Sequence, residues 1–120
     1  MNDVCCVSGG YTVDARVIVQ PSDTVALAGT RVQLQCTTDQ LVGSAARITW
    51  LRNEDPIVGL NCELNPSFPQ YSVVSTSPGQ CDLVINNASL ELAASYSCND
   101  LRDSPEVSLT VVGKLCVKFT

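Results

Sequence analysis

The chain has 120 residues, of which 45% are hydrophobic and 16% charged, with a net charge of −5 and no histidine. It is one domain of ordinary size and too apolar for intrinsic disorder. The acidic balance excludes a footprint for nucleic acid or an anionic membrane, and the missing imidazole excludes Ser-His-Asp, Cys-His and histidine-zinc chemistry.

Residues 1–15 read as an N-terminal arm, with the adjacent pair Cys5-Cys6, Gly9-Gly10 and only scattered apolar side chains. MNDVCCVSGG lacks the basic start and long apolar stretch of a signal peptide, so the chain is expected to be a piece of a larger ectodomain. No apolar run approaches the ~20 residues of a membrane span. From residue 16 the apolar residues recur with period two. RVIVQP offers Val17 and Val19 and stops at Pro21, which removes a ladder donor. VALAGT offers Val25 and Leu27 before Gly29 turns the chain. RVQLQC alternates cleanly, with Val32, Leu34 and Cys36 on one side and Arg31, Gln33 and Gln35 on the other.

ARITWLR puts Ala46, Ile48 and Trp50 inward and Arg47, Thr49 and Leu51 outward. PIVGL follows, then NCELNPSFPQ, a proline-punctuated loop or frayed edge strand. YSVVS, CDLVI, SYSCN and VSLTVV complete eight or nine short strands, and ASLELAAS at 88–95 is too short for a free helix and reads as a tight crossover. Half-buried strands at this spacing predict two stacked sheets with a core about 10 Å thick. Residues 16–112 form that domain, and 113–120 read as a tail or the start of a linker.

All seven cysteines stand outside Cys-x-x-Cys pairs, so they read as disulfide partners in an oxidising compartment. Cys36 and Cys98 share inward parity with Trp50; Leu83 and Ile85 alternate before Tyr96, which stands two residues ahead of Cys98. In this arrangement an inter-sheet disulfide packs against one tryptophan while a tyrosine hydroxyl ties down the crossover. The set resembles an immunoglobulin superfamily domain of variable or variable/intermediate type: an all-β sandwich of two antiparallel sheets with Greek-key connections. In the family's strand letters Cys36 falls on B, Trp50 on C, Leu83 on E and Cys98 on F. The stretch YSVVSTSPGQCDLVINNASLELAASYSCND is most similar to the first domain of nephrin and Neph adhesion receptors. The sequence departs from the family pattern at Leu92, where an aspartate is usual, and in lacking Phe-Gly-x-Gly before Leu109. Only a short connection, Asn99 to Ser104, joins F to G, which leaves no room for a long third hypervariable loop.

Cys62 and Cys81 are expected to form a second bridge, although spacing alone does not fix connectivity. Cys5, Cys6 and Cys116 lie outside the sandwich: one of the first two can bridge to Cys116, leaving a thiol that is free or joined to another chain. Asn87-Ala88-Ser89 is the one acceptor triplet for an N-linked glycan, since Asn65-Pro66-Ser67 is blocked by its proline.

On the C-C′-F-G sheet the outward residues are Thr49, Leu51, Asn53, Ser97, Asn99, Ser108 and Thr110, with Arg47, Arg52, Glu54 and Asp55 at the rim. Short uncharged side chains around one leucine are easily desolvated, which suits a protein partner. The acidic residues Asp39, Glu63, Asp82, Asp100, Asp103 and Glu106 read as isolated groups in turns or on polar faces, forming neither a catalytic carboxylate pair nor a dense ligand loop. No enzyme activity, metal or cofactor is therefore expected. The expected function is extracellular protein recognition by an adhesion or immune-type receptor, through a homodimer or a homologous partner. An immune domain recognising foreign molecules and a structural spacer stand as alternatives.

Overall fold

The computed structural model describes residues 21–43, 45–100 and 102–113. The expected arm, the strand at 16–20, the tail and Cys5, Cys6 and Cys116 lie outside the described residues. Eleven short strands are described: β1 (Thr24–Leu27), β2 (Val32–Leu34), β3 (Leu41–Val42), β4 (Ala45–Ala46), β5 (Thr49–Arg52), β6 (Asp55–Gly59), β7 (Glu63–Leu64), β8 (Tyr71–Val74), β9 (Asp82–Ile85), β10 (Ala94–Asn99) and β11 (Glu106–Val112). Three-residue 3₁₀ turns at Leu60–Cys62 and Leu90–Leu92 are the only helical segments among the described residues. The second replaces the helix-like run with the tight crossover that its length demanded.

A six-stranded sheet in the order β1-β11-β10-β5-β6-β7 packs against a three-stranded sheet β2-β9-β8, with β3 and β4 as a separate hairpin. The fold is an all-β immunoglobulin-like sandwich. Alternation produces it: Val32, Leu34 and Cys36 from one sheet meet Trp50, Tyr96, Cys98, Val107, Leu109 and Val111 from the other, all buried.

One pairing departs from the all-antiparallel expectation. Strand β1 runs parallel to β11, with Ala26 opposite Val111 and Val25 opposite Thr110. Residues opposite one another share a face, so Ala26 goes inward with Val111. Val25 stays 36% exposed with Thr110 on the outer face.

Both expected bridges within the described residues are present. Cys36 joins Cys98 across the sheets with Cα atoms 6.6 Å apart, and Cys62 joins Cys81 at 5.9 Å. Their surroundings are tightly bonded. The Trp50 indole N–H donates to the Cys81 carbonyl at 2.8 Å, and the Cys81 N–H donates to the Cys36 carbonyl at 2.9 Å.

Asp82 departs from the reading of the acidic residues as isolated groups in turns or on polar faces. It is 2% exposed, and its carboxylate accepts from the Cys36 N–H at 2.9 Å, Gln33 Nε2 at 2.8 Å and Gln80 Nε2 at 2.9 Å. Strand β2 ends at Leu34, so the Cys36 N–H leaves the ladder and needs another acceptor. The carboxylate at the start of β9 provides one.

Where the family usually places an aspartate, Leu92 is buried and two tyrosines take over the crossover. The Tyr96 hydroxyl donates to the Leu92 carbonyl at 2.7 Å and stands 2.9 Å from the Tyr71 hydroxyl. Each hydroxyl has one proton, so Tyr71 donates to Tyr96. Burial and the neighbouring Tyr71 hydroxyl both push the Tyr96 phenol well above its usual range, keeping it a donor at every physiological pH.

Tyr96→Phe leaves the buried Leu92 carbonyl and the Tyr71 hydroxyl without partners, and is expected to cost about 1–3 kcal/mol in urea unfolding. Tyr71→Phe leaves the bond to Leu92 intact and should cost less. Equal losses in the two variants would contradict this assignment of donors.

Candidate recognition face

Cys98 and Trp50 are register partners, as are Asn99 with Thr49 and Ser97 with Leu51. Because side chains alternate along a strand, burying Trp50 and Cys98 sends Thr49, Leu51, Ser97 and Asn99 to the outer face. Ser108 and Thr110 continue that face on β11, between inward Val107, Leu109 and Val111, and both are exposed. The structure thus brings six of the seven expected face residues onto one sheet surface. Leu51 is half-buried, with Ser97 on one side and Pro56 on the other.

Asn53 is placed differently. It occupies the two-residue β5–β6 turn with Glu54, both in the left-handed region at φ 47° and 76°. This pair of positive φ angles matches the right-handed twist of a tight hairpin. The Asn53 N–H donates to the Ser95 carbonyl at 2.8 Å and its side-chain oxygen accepts the Ser95 N–H at 3.1 Å. Asn53 therefore secures the turn at the far end of β5. Arg52 is likewise committed: its guanidinium donates to the Glu91 carbonyl at 2.6 Å, away from the rim role its charge suggested.

The sequence reading missed Leu60. It is 71% exposed at the mouth of a depression of about 240 Å³, lined by Arg47, Thr49, Leu60, Asn61, Asn99 and Asp100. The Asn99 side-chain oxygen is buried there with no partner among the described residues. Asn61 and Cys62 both have left-handed φ, 63° and 64°, so this turn is costly for side-chain-bearing residues. The Cys62–Cys81 bridge and the bond from the Cys62 N–H to the Ile48 carbonyl at 3.0 Å hold it in place. Period-two reading gave no signal for Leu60, which leaves β6 in a 3₁₀ turn.

The same end of the sandwich is locked by charge. Asp100 has a fully buried carboxylate that accepts the backbone N–H groups of Arg102 and Asp103, each at 2.7 Å, and the Thr38 hydroxyl at 2.8 Å. The Arg102 guanidinium pairs with Asp39 and lies 3.7 Å from Asp100. Burial alone raises the Asp100 pKa, but these donors and the guanidinium outweigh it and hold the carboxyl below the usual aspartate value. Arg102 and Gln40 likewise lower exposed Asp39. Gly79 closes the adjacent turn at φ 82°, where a Cβ would stand 2.2 Å from the Thr38 carbonyl oxygen. Only glycine fits there. The hairpin residues Leu41 and Val42, which follow Thr38 and Asp39 in the chain, are exposed.

Asn87 and Leu90 lie at the opposite pole, where the Ala88 N–H donates to the Thr30 carbonyl and the Gly29 N–H to the Ala88 carbonyl. No group of His, Cys, Asp and Glu among the described residues is arranged to hold a metal ion. No helix among them is long and apolar enough to cross a membrane.

The sequence pattern of the immunoglobulin domain matches residues 16–99. No curated protein matches the chain in sequence. Among solved structures, domain I10 of titin is similar with a TM-score of 0.64 at 19% identity, covering 80% of this chain and 96% of that one. The Ig1 domain of mouse SynCAM 2 has a TM-score of 0.64 at 16% identity, covering 78% and 93%. The complex of titin M10 with obscurin like 1 has a TM-score of 0.62 at 13% identity, covering 83% and 95%. At these identities the likeness is one of fold.

Asp100 has a lower pKa folded than unfolded, so the unfolded chain binds the proton more readily in acid. Its contribution is complete above about pH 4 and is lost as pH falls through the depressed folded value. Asp100→Asn is expected to lower stability at pH 7 and to flatten the acid limb of the stability–pH curve. An unchanged acid limb in that variant would contradict the assignment.

Proposed function

The chain belongs to the immunoglobulin domain family, and from that premise we propose that it is a non-enzymatic protein-recognition domain binding through the outer face of β5, β6, β10 and β11. The observation that carries this reading is the composition of that face. Ser97 stands opposite the half-buried Leu51, Thr49 and Asn99 flank that pair, and Ser108 and Thr110 continue the face on β11, where the exposed Glu106 opposite Ser97 is its charged member. The short side chains let a partner's backbone approach closely, while the leucine supplies an apolar centre within a polar rim. Val25, exposed beside Thr110, extends the apolar surface toward β1.

The domain is read as part of a cell-surface or secreted protein, because paired cysteines persist in oxidising surroundings. Strands β6 and β7, which extend the sheet beyond β5, support a variable or variable/intermediate type. The Tyr-Ser-Val-Val and Ala-Ser-Tyr-Ser-Cys segments support kinship with the nephrin and Neph adhesion receptors. The partner is a second copy or a homologous immunoglobulin-type domain. The titin M10–obscurin like 1 complex illustrates pairing between chains of this fold class. The net charge of −5 opposes indiscriminate clustering, so association needs this specific surface.

A second reading rests on Leu41, Val42 and Leu60, all exposed around the Asp100 end. It makes that end the contact for a foreign molecule and frees the sheet face.

Leu51→Arg places an unpaired charge at the centre of the proposed contact and is expected to abolish dimers while sparing the fold. Sedimentation of the full chain under conditions that keep both bridges, beside the variant, reads the outcome. Dimers that survive in Leu51→Arg would exclude the face. A parent that stays monomeric at high concentration would exclude self-pairing and leave the homologous partner.

A further inference from the structure

We infer that Asn87 carries an N-linked oligosaccharide that covers Leu90 and leaves the Asp100 end free. The inference rests on the reading of the domain as extracellular.

Four observations converge on it. Asn87-Ala88-Ser89 is an intact acceptor triplet. Asn87 is exposed, and its side chain engages no partner among the described residues. Its neighbour Asn86, by contrast, accepts from the Ser72 hydroxyl at 3.0 Å and donates to the Gln70 carbonyl at 3.3 Å. Asn86 therefore anchors the end of β9 while Asn87 stays available. The triplet also leaves the strand immediately: Ala88 is held by Thr30 and Gly29, and Ser89 is extended at φ −135° and ψ 165°. Finally, Leu90 is 63% exposed at the start of the 3₁₀ turn, although Leu92 in the same turn is buried. A solvent-facing leucine in the crossover between β9 and β10 has no packing role within the domain. A sugar on the adjacent loop would give its side chain an apolar neighbour and keep that crossover from associating.

The transfer step is ordinary group transfer from a lipid pyrophosphate-linked oligosaccharide. The Asn87 amide nitrogen bonds to the anomeric carbon of the first sugar and loses one proton. The bond from that carbon to the pyrophosphate oxygen breaks, and the lipid pyrophosphate departs. Nothing is oxidised or reduced. The glycan would sit beyond β9, at the end opposite Thr38, Asp39 and Arg102.

The test is to pass the full chain through the secretory pathway of cultured eukaryotic cells beside Asn87→Gln, Ser89→Ala and Ser89→Thr. Intact mass is read before and after peptide N-glycosidase, and bridges are mapped on the same samples. The expected result is one oligosaccharide on the parent and on Ser89→Thr, removed by the glycosidase, and none on Asn87→Gln or Ser89→Ala. Ser89→Thr keeps the acceptor chemistry, so it separates loss of the glycan from any misfolding caused by change at residue 89. A secreted parent with both bridges formed and no glycan would overturn this inference alone. A parent whose bridges never form in that pathway would overturn the extracellular reading with it.

Discussion

The burial of Trp50 and Cys98 as register partners on neighbouring strands is the constraint from which the rest of the domain follows. The Cys36–Cys98 bridge fixes which face of β10 looks inward, and the Trp50 indole, bonded to the Cys81 carbonyl, fixes β5 to the same parity. A slip of one residue would put Thr49 into the core and Trp50 into water on β5, or Ser97 into the core and Cys98 out of it on β10. The outer face is therefore dictated by the interior. Thr49, Leu51, Ser97 and Asn99 are presented together because the core residues between them have nowhere else to go.

The two bridges act on different parts of the chain. Cys36–Cys98 spans 62 residues and joins the sheets, whereas Cys62–Cys81 spans 19 and fastens a segment with few buried apolar anchors. Closing loops of these sizes stabilises chiefly by restricting the unfolded chain, on the order of 3–4 kcal/mol each. Asp82 links the two regions, since its carboxylate holds the Cys36 N–H from the residue after Cys81. The left-handed backbone at Asn61 and Cys62 lies where the shorter bridge restrains it, next to the depression beside Asn99. The ends of the sandwich are thus chemically distinct. One is locked by Asp100 and Arg102, and the other by backbone bonds among Gly29, Thr30 and Ala88.

The fold was legible wherever alternation was uninterrupted. Residues 31–36, 46–50 and 107–111 bury the side chains that their pattern assigns, and Cys36 and Trp50 take the inward places read for them. Legibility failed where a local bond outranked periodicity. Val25 faces out and Ala26 in because a parallel register with β11 sets their facing, and a two-apolar pattern in a four-residue strand cannot reveal its partner. Asp82 resembles any strand-edge acid until the unladdered Cys36 N–H is seen beside it. Asn53 has the outward parity of a face residue, yet a turn with positive φ claims it. Leu60 was invisible because its exposure comes from a 3₁₀ turn after β6.

Peptide mapping of the unreduced chain tests the central claim most directly. The account predicts one cross-linked peptide containing Cys36 and Cys98 and another containing Cys62 and Cys81, both from the folded monomer. Cys36 joined to any other cysteine would contradict it, because β2 and β10 would then lose their facing and the outer surface built on Trp50 and Cys98 would not exist.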